Sequence, residues 1–305
     1  MHRRPPALLA SAALAVALAG CGLAGGSGSG AVSVDITRDF GSAPIASGVQ
    51  RRVPGDETVI GLLRRSFKVS TGHRESVRSI DGRAAASRRY GWFFYVNGIL
   101  APKRPAKTAV NAGDHVWWDL HDWTAAHQIP AVVGSYPEPF TSGIGGRRFP
   151  TVLDCAGSTH RACNMVGTAL HRAGVKVSYQ ALGGGSGSDS LAVVVGTWRN
   201  LRGVIAADLI DAGPSTSGVF AQFVGSGGQV LELDNAQGSV VRTLRAGGGL
   251  IAATEQPSLN QPTWLVTGTD AAGVDAAAAA LTPARLRNHF ALAVDGSRDL
   301  PLPLR

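Results

Sequence analysis

The sequence predicts a mixed α+β protein with two folded units: a small sheet that packs on one helix, and after it a layered α/β unit. Three observations predict this arrangement. Period-two apolar patterns surround a single helical pattern in the first third of the chain, a Pro- and Gly-rich stretch follows, and strand and helix patterns alternate from residue 150 onward. With 305 residues, of which 44% are hydrophobic, the chain can bury a core in each unit.

The first twenty residues resemble a bacterial lipoprotein signal peptide. Arg3 and Arg4 precede an apolar run over residues 7–19, and residues 18–21 read Leu-Ala-Gly-Cys, which matches the lipobox. The run is shorter than the roughly 20 residues that span a bilayer, so it is typical of a removed export signal. We expect cleavage before Cys21 and lipidation of its thiol. The alternative is an ordinary secretory signal with a cysteine there by chance.

Lipid on Cys21 predicts a chain held at the extracytoplasmic face of the cell membrane, with the Gly- and Ser-rich residues 21–30 as a flexible tether. The two other cysteines, Cys155 and Cys163, then lie in an oxidising compartment, which favours a disulfide between them. A two-cysteine metal site is the alternative, although no second pair of Cys or His stands at a zinc-like spacing.

Residues 31–128 predict the first unit. Residues 32–36 alternate apolar and polar side chains, as in a strand with one buried face. Residues 56–67 carry apolar side chains at helical spacing. Residues 92–98 join an aromatic, β-favouring run to an Asn-Gly pair, which is typical of a tight hairpin, and residues 115–120 alternate again. Together these elements predict a sheet that grasps one helix.

Three motifs in this unit resemble the transcobalamin-like C-terminal domain. They are a Thr-Val pair at residues 58–59 ahead of two helical leucines, Tyr-Val-Asn-Gly at residues 95–98, and Gly-Asp-His-Val-Trp-Trp at residues 113–118. The resemblance implies a β-grasp fold over about one third of the chain. It also implies a cobalamin-like ligand, since in the animal carriers this module covers one face of cobalamin and a helical barrel domain covers the other. Many bacterial surface lipoproteins carry the same module.

Aromatic side chains on the sheet face away from the helix are the candidate ligand-binding residues. Phe93, Tyr95 and Trp117 alternate to that side, and Trp123 follows just beyond. An exposed aromatic face of this size would mark a binding site. The alternative is that the second unit packs on these residues and buries them.

Residues 129–149 are rich in Pro and Gly and predict the linker between the units, with Tyr136 and Phe140 as side chains that could pack it down. Residues 150–305 predict the α/β unit, whose family the sequence does not identify. Its predicted strands lie at residues 149–154, 175–179, 191–195, 219–223, 230–233, 250–253, 263–268 and 290–294, and its predicted helices at residues 162–173, 201–212 and 271–281.

Motifs for catalysis are absent from the sequence. It has no G-x-S-x-G elbow, no Walker P-loop, no H-E-x-x-H and no G-x-G-x-x-G that opens a helix after a strand. His115, His121 and His127 recur every six residues, but along one strand the first two would lie roughly 20 Å apart, too far to share an ion. We therefore predict no enzymatic activity, no catalytic residues and no metal site.

The full sequence has a net charge of +8, and removal of Arg3 and Arg4 with the signal peptide leaves +6. Two functions fit an exported chain of this charge. The first is a membrane-anchored binding lipoprotein that captures a cobalamin-like or other cofactor ligand and passes it to an uptake transporter. The second is a cell-envelope interaction module, in which the basic residues between Arg51 and Lys107 bind a protein partner or an anionic polymer. Those charges could also be an ordinary solvated surface. Export argues against nucleic acid as the partner.

Overall fold

The computed structural model describes residues 30–183, 189–255 and 261–305, and it is a mixed α+β protein with several sheets, as the sequence predicts. The predicted signal peptide, the predicted lipidation site Cys21 and all but the last residue of the predicted tether lie outside the described residues. Within the described ranges, no helix combines the length and the apolar content needed to cross a bilayer.

The first unit is built from one helix and two sheets. Its elements are β1 (Val32–Arg38), β2 (Ala43–Gln50), α1 (Val59–Ser66), β3 (Val69–Thr71), β4 (Val77–Ile80), β5 (Arg83–Ala84), β6 (Tyr90–Val96), β7 (Ile99–Leu100) and β8 (His115–Asp122), with 3₁₀ turns at His73–Glu75 and Pro105–Lys107. The main sheet has the order β2-β1-β8-β6-β7, in which β1 and β8 run parallel. A small antiparallel sheet has the order β3-β4-β5.

Helix α1 covers one face of the main sheet. It begins at the cap Thr58, whose hydroxyl accepts a hydrogen bond from the Gly61 N–H at 3.2 Å. The apolar stripe of α1 packs against the sheet side chains of β1, β6 and β8, including Phe94 and Trp118. Because successive strand side chains point to opposite faces, the aromatic residues between these positions face away from α1. The predicted helix and its packing face are therefore confirmed.

The motif residues of the first unit hold its turns. Asn97 and Gly98 adopt φ values of 54° and 78°, which a two-residue hairpin turn requires. The Asn97 side-chain amide donates to Asp114 Oδ1 at 2.7 Å and to the Gly143 carbonyl at 2.8 Å, and its oxygen accepts from the His115 N–H at 2.8 Å. Asn97 thus ties the hairpin to the start of β8, a structural task.

The second unit is a layered α/β arrangement. Its elements are β9 (Thr151–Cys155), α2 (His160–Arg172), β10 (Val177–Ala181), β11 (Leu191–Thr197), α3 (Trp198–Leu201), α4 (Ile205–Asp211), α5 (Pro214–Ser217), β12 (Ala221–Val224), β13 (Val230–Asp234), β14 (Val240–Leu244), β15 (Gly248–Glu255), β16 (Pro262–Gly268), α6 (Ala271–Ala280), α7 (Pro283–Leu286), β17 (Ala291–Asp295) and β18 (Arg298–Leu302). The main sheet has the order β10-β9-β11-β16-β15-β17-β18, and β12-β13-β14 form a second sheet.

The main sheet of the second unit is covered on both faces. Helices α2 and α6 bury one face, and the other face packs toward α4, the β12–β14 sheet and the first unit. A disulfide joins Cys155 at the end of β9 to Cys163 in α2, with the two Cα atoms 6.0 Å apart. The predicted pairing is therefore confirmed. Asp270 caps α6, accepting from the Gly273 N–H at 2.9 Å.

Residues 129–149, called the strap below, are packed between the two units. The Leu100 N–H donates to the Pro130 carbonyl at 2.9 Å and the Val132 N–H to the Gly98 carbonyl at 2.8 Å, which fixes the strap to the first unit. One residue later, the Val133 N–H donates to the Phe290 carbonyl of the second unit at 3.1 Å. Tyr136 and Phe140 of the strap are buried.

The structure differs from the sequence-based expectation at edges and at one glycine. The helix expected at residues 201–212 is α4, which begins only at Ile205, because Gly203 has a φ of 84° and separates α4 from the short helix α3 before it. Strands β2, β3, β5, β14 and β18 were not predicted. All five lie at the edge of a sheet, where one side of the strand is unpaired and the apolar alternation is weak.

Candidate functional site between the two units

The sheet face that points away from α1 meets the second unit along part of its width. Tyr95 and Trp117 lie on this face and are both 0% exposed. The Phe290 ring of the second unit has its centroid 5.6 Å from that of Tyr95 and 5.2 Å from that of Trp117, with edge-on geometry in both cases. The second unit therefore buries these two residues, and they do not form an open platform for a ligand.

The other two candidate ligand-binding residues lie apart from this pair or are partly covered. Phe93 packs at the margin of the same cluster and stacks on the His121 ring, with centroids 4.4 Å apart. Trp123 is half-buried and meets His127 edge-on at 5.0 Å. The structure thus does not bring Phe93, Tyr95, Trp117 and Trp123 together as one solvent-facing surface. We correct that expectation, since the aromatic face is mainly an interface between the units.

A buried carboxylate organises this interface. Asp119 is 0% exposed and accepts hydrogen bonds from the Phe40 N–H at 3.1 Å, the Gly41 N–H at 2.8 Å and the Thr37 hydroxyl. Its Oδ1 also lies 2.8 Å from His121 Nδ1. Burial, and then the charge of Asp119, raises the pKa of Tyr95 well above its usual value of 10.0.

Toward β1 and β2 the same sheet face is left open and becomes the floor of a pocket of about 530 Å³, called the polar pocket below. The strap forms one wall through residues 134–138. Pro283 and Arg287 of the second unit form another. The floor is made by Ser33, Asp35, Ser47, Val49 and His115. The polar pocket therefore requires both units and the strap.

A hydrogen-bonded row crosses the polar pocket. Ser135 Oγ lies 2.8 Å from His115 Nδ1, and His115 Nε2 lies 3.2 Å from Asp35 Oδ2. An ionised carboxylate can only accept, so Nε2 carries a proton and donates it to Asp35; in the neutral ring, Nδ1 then accepts from the Ser135 hydroxyl. Arg287 approaches the other Asp35 oxygen at 3.4 Å, from a side chain that is largely in solvent.

The row keeps Asp35 ionised. Burial alone would raise the pKa of Asp35, but the hydrogen bond and charge of His115, together with Arg287, outweigh burial and lower that pKa below its usual 3.8. Asp35 is therefore ionised at pH values above 3.8 and accepts a hydrogen bond from His115 Nε2. This hydrogen bond fixes the tautomer and the orientation of the neutral His115 ring.

Local structure explains why these residues meet. In the parallel register of β1 and β8, Ser33 pairs with His115 and Asp35 with Trp117. Asp35 and His115 therefore lie on the same sheet face as diagonal neighbours, offset by two residues along the strands. Ser135 follows Gly134 in a reverse turn closed by the Tyr136 N–H on the Val133 carbonyl at 3.1 Å. A Cβ on Gly134 would stand 2.6 Å from the His289 backbone nitrogen, so only glycine permits this approach.

Sequence reasoning noted His115 but missed its partners. Asp35, Ser135 and Arg287 are far apart in sequence, and Ser135 lies in a Pro- and Gly-rich stretch that predicted only a linker. The one signal was His115 itself, inside the Gly-Asp-His-Val-Trp-Trp motif. The described part of the chain contains no cluster of three or more His, Cys, Asp or Glu side chains that could hold a metal ion.

Comparisons with known proteins bear mainly on the first unit. A family model described as "Domain of unknown function (DUF4430)" matches residues 56–122. No curated protein sequence matches the chain. A solved structure from Ruminococcus gnavus ATCC 29149, described as "a putative metal binding protein", is 14% identical and covers 30% of this chain and 97% of its own, with a TM-score of 0.25. The chain is thus similar to the DUF4430 family from the residues just before α1 through β8.

Proposed function

We propose that this protein is a lipid-anchored, extracytoplasmic binding protein that holds a small ligand in the polar pocket. The observation that carries the proposal is the polar pocket itself. Its volume of about 530 Å³ falls in the range of small-molecule sites, and it combines a few fixed polar groups with the apolar side chains of Val49, Tyr136 and Pro137. It also lies where two units meet, a common position for ligand sites.

The resemblance of the first unit to the transcobalamin-like domain supports a ligand held between two units. A whole cobalamin is larger than a drug-sized molecule, so it would enter the polar pocket with only part of its periphery. The side chains that line the floor favour hydroxyl, amide or amine groups on that part, since Asp35, Ser33 and Ser47 offer acceptors. Transfer to an uptake transporter is the biological role we propose for such capture.

Ligand capture is tested by titrating the protein with cyanocobalamin and cobinamide while following tryptophan fluorescence. We expect quenching at micromolar ligand, with affinity at least about tenfold weaker in Ser47→Trp, whose indole would fill the polar pocket from an exposed position on β2. Ser70→Trp, the same change at an exposed position on β3, is the matched control. Quenching that Ser47→Trp leaves unchanged would place the ligand elsewhere, and no quenching would exclude these corrinoids.

The anchor is tested by mass spectrometry of the protein from cell membranes. We expect a mature chain that begins at Cys21 and carries diacylglycerol and an amide-linked acyl chain. Cys21→Ser removes the acceptor thiol and is expected to remain unlipidated. A soluble chain that retains residues 1–20 without modification would contradict the proposal.

A second candidate function rests on charge. Residues 31–128 contain 14 Lys and Arg against 9 Asp and Glu, whereas residues 129–305 contain 13 against 12. In the first unit, Arg38, Arg64, Arg65 and Arg89 have acidic partners. The exposed cations for which the described residues provide no ion pair are Arg51, Arg52, Lys68, Arg78, Arg83, Arg88, Lys103, Arg104 and Lys107.

Such a surface could bind an anionic envelope polymer or an acidic protein. Since exposed charges are screened within about 8 Å at physiological ionic strength, binding to isolated wall fractions should weaken steeply between low and high salt. Charge reversal at Arg78 and Arg83 should weaken it further, while Arg298→Glu in the second unit serves as the control. Salt-independent binding would count against this function.

A further inference from the structure

The polar pocket contains an arrangement that ligand binding alone does not use. Its serine, histidine and carboxylate form one row, with Ser135 Oγ 2.8 Å from His115 Nδ1 and His115 Nε2 3.2 Å from Asp35. We propose that Ser135 is a nucleophile toward small carboxylic esters bound in the polar pocket, with His115 as its general base and Asp35 as a positioning residue. This inference rests on the proposed function, because the same pocket must admit the ester.

The row meets the chemical requirements for activating a hydroxyl. A serine is a weak nucleophile until a neighbouring base accepts its proton, and histidine needs a third group to fix its tautomer. Asp35 supplies that group by accepting from Nε2, which leaves the Nδ1 lone pair on the Ser135 hydroxyl. The roles are those of a Ser-His-Asp triad with the two ring nitrogens exchanged. The side chains of Asp35 and His115 are each only 13% exposed, which limits competition from water.

The reaction begins when Ser135 Oγ forms a bond to the carbonyl carbon of the ester and the hydroxyl proton passes to His115 Nδ1. The tetrahedral intermediate then collapses, the bond to the alkoxy oxygen breaks, and His115 returns the proton to the leaving alcohol. Water attacks the acyl-serine with the same base, releasing the acid and restoring Ser135. Protons and electron pairs balance without a cofactor.

Donors for the intermediate's oxygen are available in the turn that carries the nucleophile. Gly134 and Ser135 line the polar pocket, and within the described ranges their backbone N–H groups donate to no protein acceptor. Free N–H groups beside a nucleophile are the usual stabilisers of a developing oxyanion. The pocket volume of about 530 Å³ accommodates small acyl and alkoxy groups.

Ser135 lies outside any G-x-S-x-G motif for a structural reason. That motif describes a serine on a sharp turn between a strand and a helix. Ser135 instead lies in Gly-Ser-Tyr-Pro within the strap, and the base comes from the first unit. The row is therefore assembled by tertiary structure, and no local sequence pattern predicts it.

The test is covalent labelling of the full mature chain with an alkyl fluorophosphonate, followed by intact-mass measurement and peptide mapping. We expect a single adduct on Ser135, because its oxygen displaces fluoride from phosphorus, and no adduct in Ser135→Ala. His115→Gln should slow labelling about 100-fold, and Asp35→Asn about tenfold, since general bases contribute on that scale. Ser70→Ala, an exposed serine outside the pocket, should label as the unmodified protein does. Hydrolysis of p-nitrophenyl acetate should follow the same order.

Circular dichroism of each variant establishes that it is folded, and Asp35→Asn preserves side-chain shape if His115→Gln does not fold. The proposal is overturned if Ser135 is not labelled, or if folded His115 and Asp35 variants label at the original rate. Failure of labelling with retained, Ser47→Trp-sensitive ligand binding removes the nucleophile but keeps the binding site. Labelling that Ser47→Trp does not slow means that the reagent does not enter through the pocket, which contradicts the assignment of the pocket itself.

Discussion

Trp117 and His115 stand two residues apart on β8 and point to the same side of the sheet, yet their surroundings are opposite. Trp117 is 0% exposed under the Phe290 ring of the second unit, whereas His115 lines an open pocket. The sheet is the same on both sides of this boundary, so the difference comes from what lies above it. The second unit and the strap cover one half of the face completely and stop short of the other.

The two halves also differ in the side chains they offer. The sealed half presents large aromatic rings and one carboxylate, Asp119, whose oxygens are fully hydrogen-bonded inside the protein. The open half presents Ser33 and Ser47, which are too small to fill the space above β1 and β2. One sheet face can therefore supply both a stable interface and a site, according to the volume of its side chains.

The largest expected contrast separates Trp117→Ala from His115→Ala. Removing the indole leaves a cavity at the interface and frees the Thr37 hydroxyl to which Trp117 Nε1 donates at 2.7 Å, so we expect a loss of about 3–5 kcal/mol in the free energy of unfolding. His115→Ala should cost about 1 kcal/mol, because water in the polar pocket can replace its hydrogen bonds. Urea denaturation measures both, and equal losses would show that the two halves do not differ in packing.

The carboxylates of the two halves provide the next contrast. Asp119→Ala strands buried donors from Thr37, Phe40, Gly41 and His121, and we expect it to destabilise the protein by about 3 kcal/mol or more. Asp35→Ala, on the floor of the polar pocket, should cost about 1 kcal/mol, because water can replace the lost hydrogen bonds there. Thermal unfolding of the two variants measures both losses of stability. A larger loss in Asp35→Ala than in Asp119→Ala would contradict this prediction.

The interaction free energy between Trp117 and Phe290 across the interface should be smaller than these losses of stability, and it should be specific to this pair. A double-mutant cycle with Trp117→Ala and Phe290→Ala is expected to give an interaction free energy of about 1 kcal/mol, as for edge-on aromatic pairs in contact. Phe67 packs on the opposite face of the sheet with α1, so the cycle of Trp117 with Phe67→Ala should give a value near zero. Similar interaction free energies in both cycles would mean that Trp117→Ala alters the whole first unit and not only its contact with Phe290.

The smallest effect concerns pH and only the open half. The pKa of Asp35 in the folded protein lies below its usual 3.8, so ionised Asp35 stabilises the fold above that value, and this contribution is lost as the pH falls through the lowered pKa. Asp35→Asn lacks the titrating group. The stability difference between the original protein and Asp35→Asn, measured by urea denaturation, should therefore shrink as the pH is lowered from neutrality to below 3.8. A difference that grows on acidification would contradict the direction of the shift.

Much of the fold could be predicted because its signals are local. The Asn97-Gly98 turn, the helix that follows Thr58 and helix α6 each depend on a few neighbouring residues, and each is found where it was expected. The alternation of Phe93 and Tyr95 also identified the correct sheet face. The alternation could not predict whether another unit covers that face. A distant segment that buries a strand residue does not change the sequence pattern around that residue.

The candidate site was hidden for the same reason. Asp35, His115 and Ser135 are separated by 80 and 20 residues, and they meet only because β1 pairs with β8 and the strap folds over their ends. Composition was misleading at Ser135, since a Pro- and Gly-rich segment usually indicates a linker. The glycine that matters there, Gly134, permits close packing against His289, a role that composition does not distinguish from flexibility.

The parallel pairing of β1 with β8 constrains the order in which the chain can fold. β1 is the first strand of the described residues, and one of its two partners in the sheet, β8, ends at Asp122. If the chain crosses the membrane N-terminus first, β1 must wait for more than eighty residues before that pairing forms, and the rings of Tyr95 and Trp117 must wait for Phe290. Such distant pairings slow folding, and they leave apolar surface uncovered meanwhile. The main sheet of the first unit and its interface with the second unit can therefore close only after most of the chain is available.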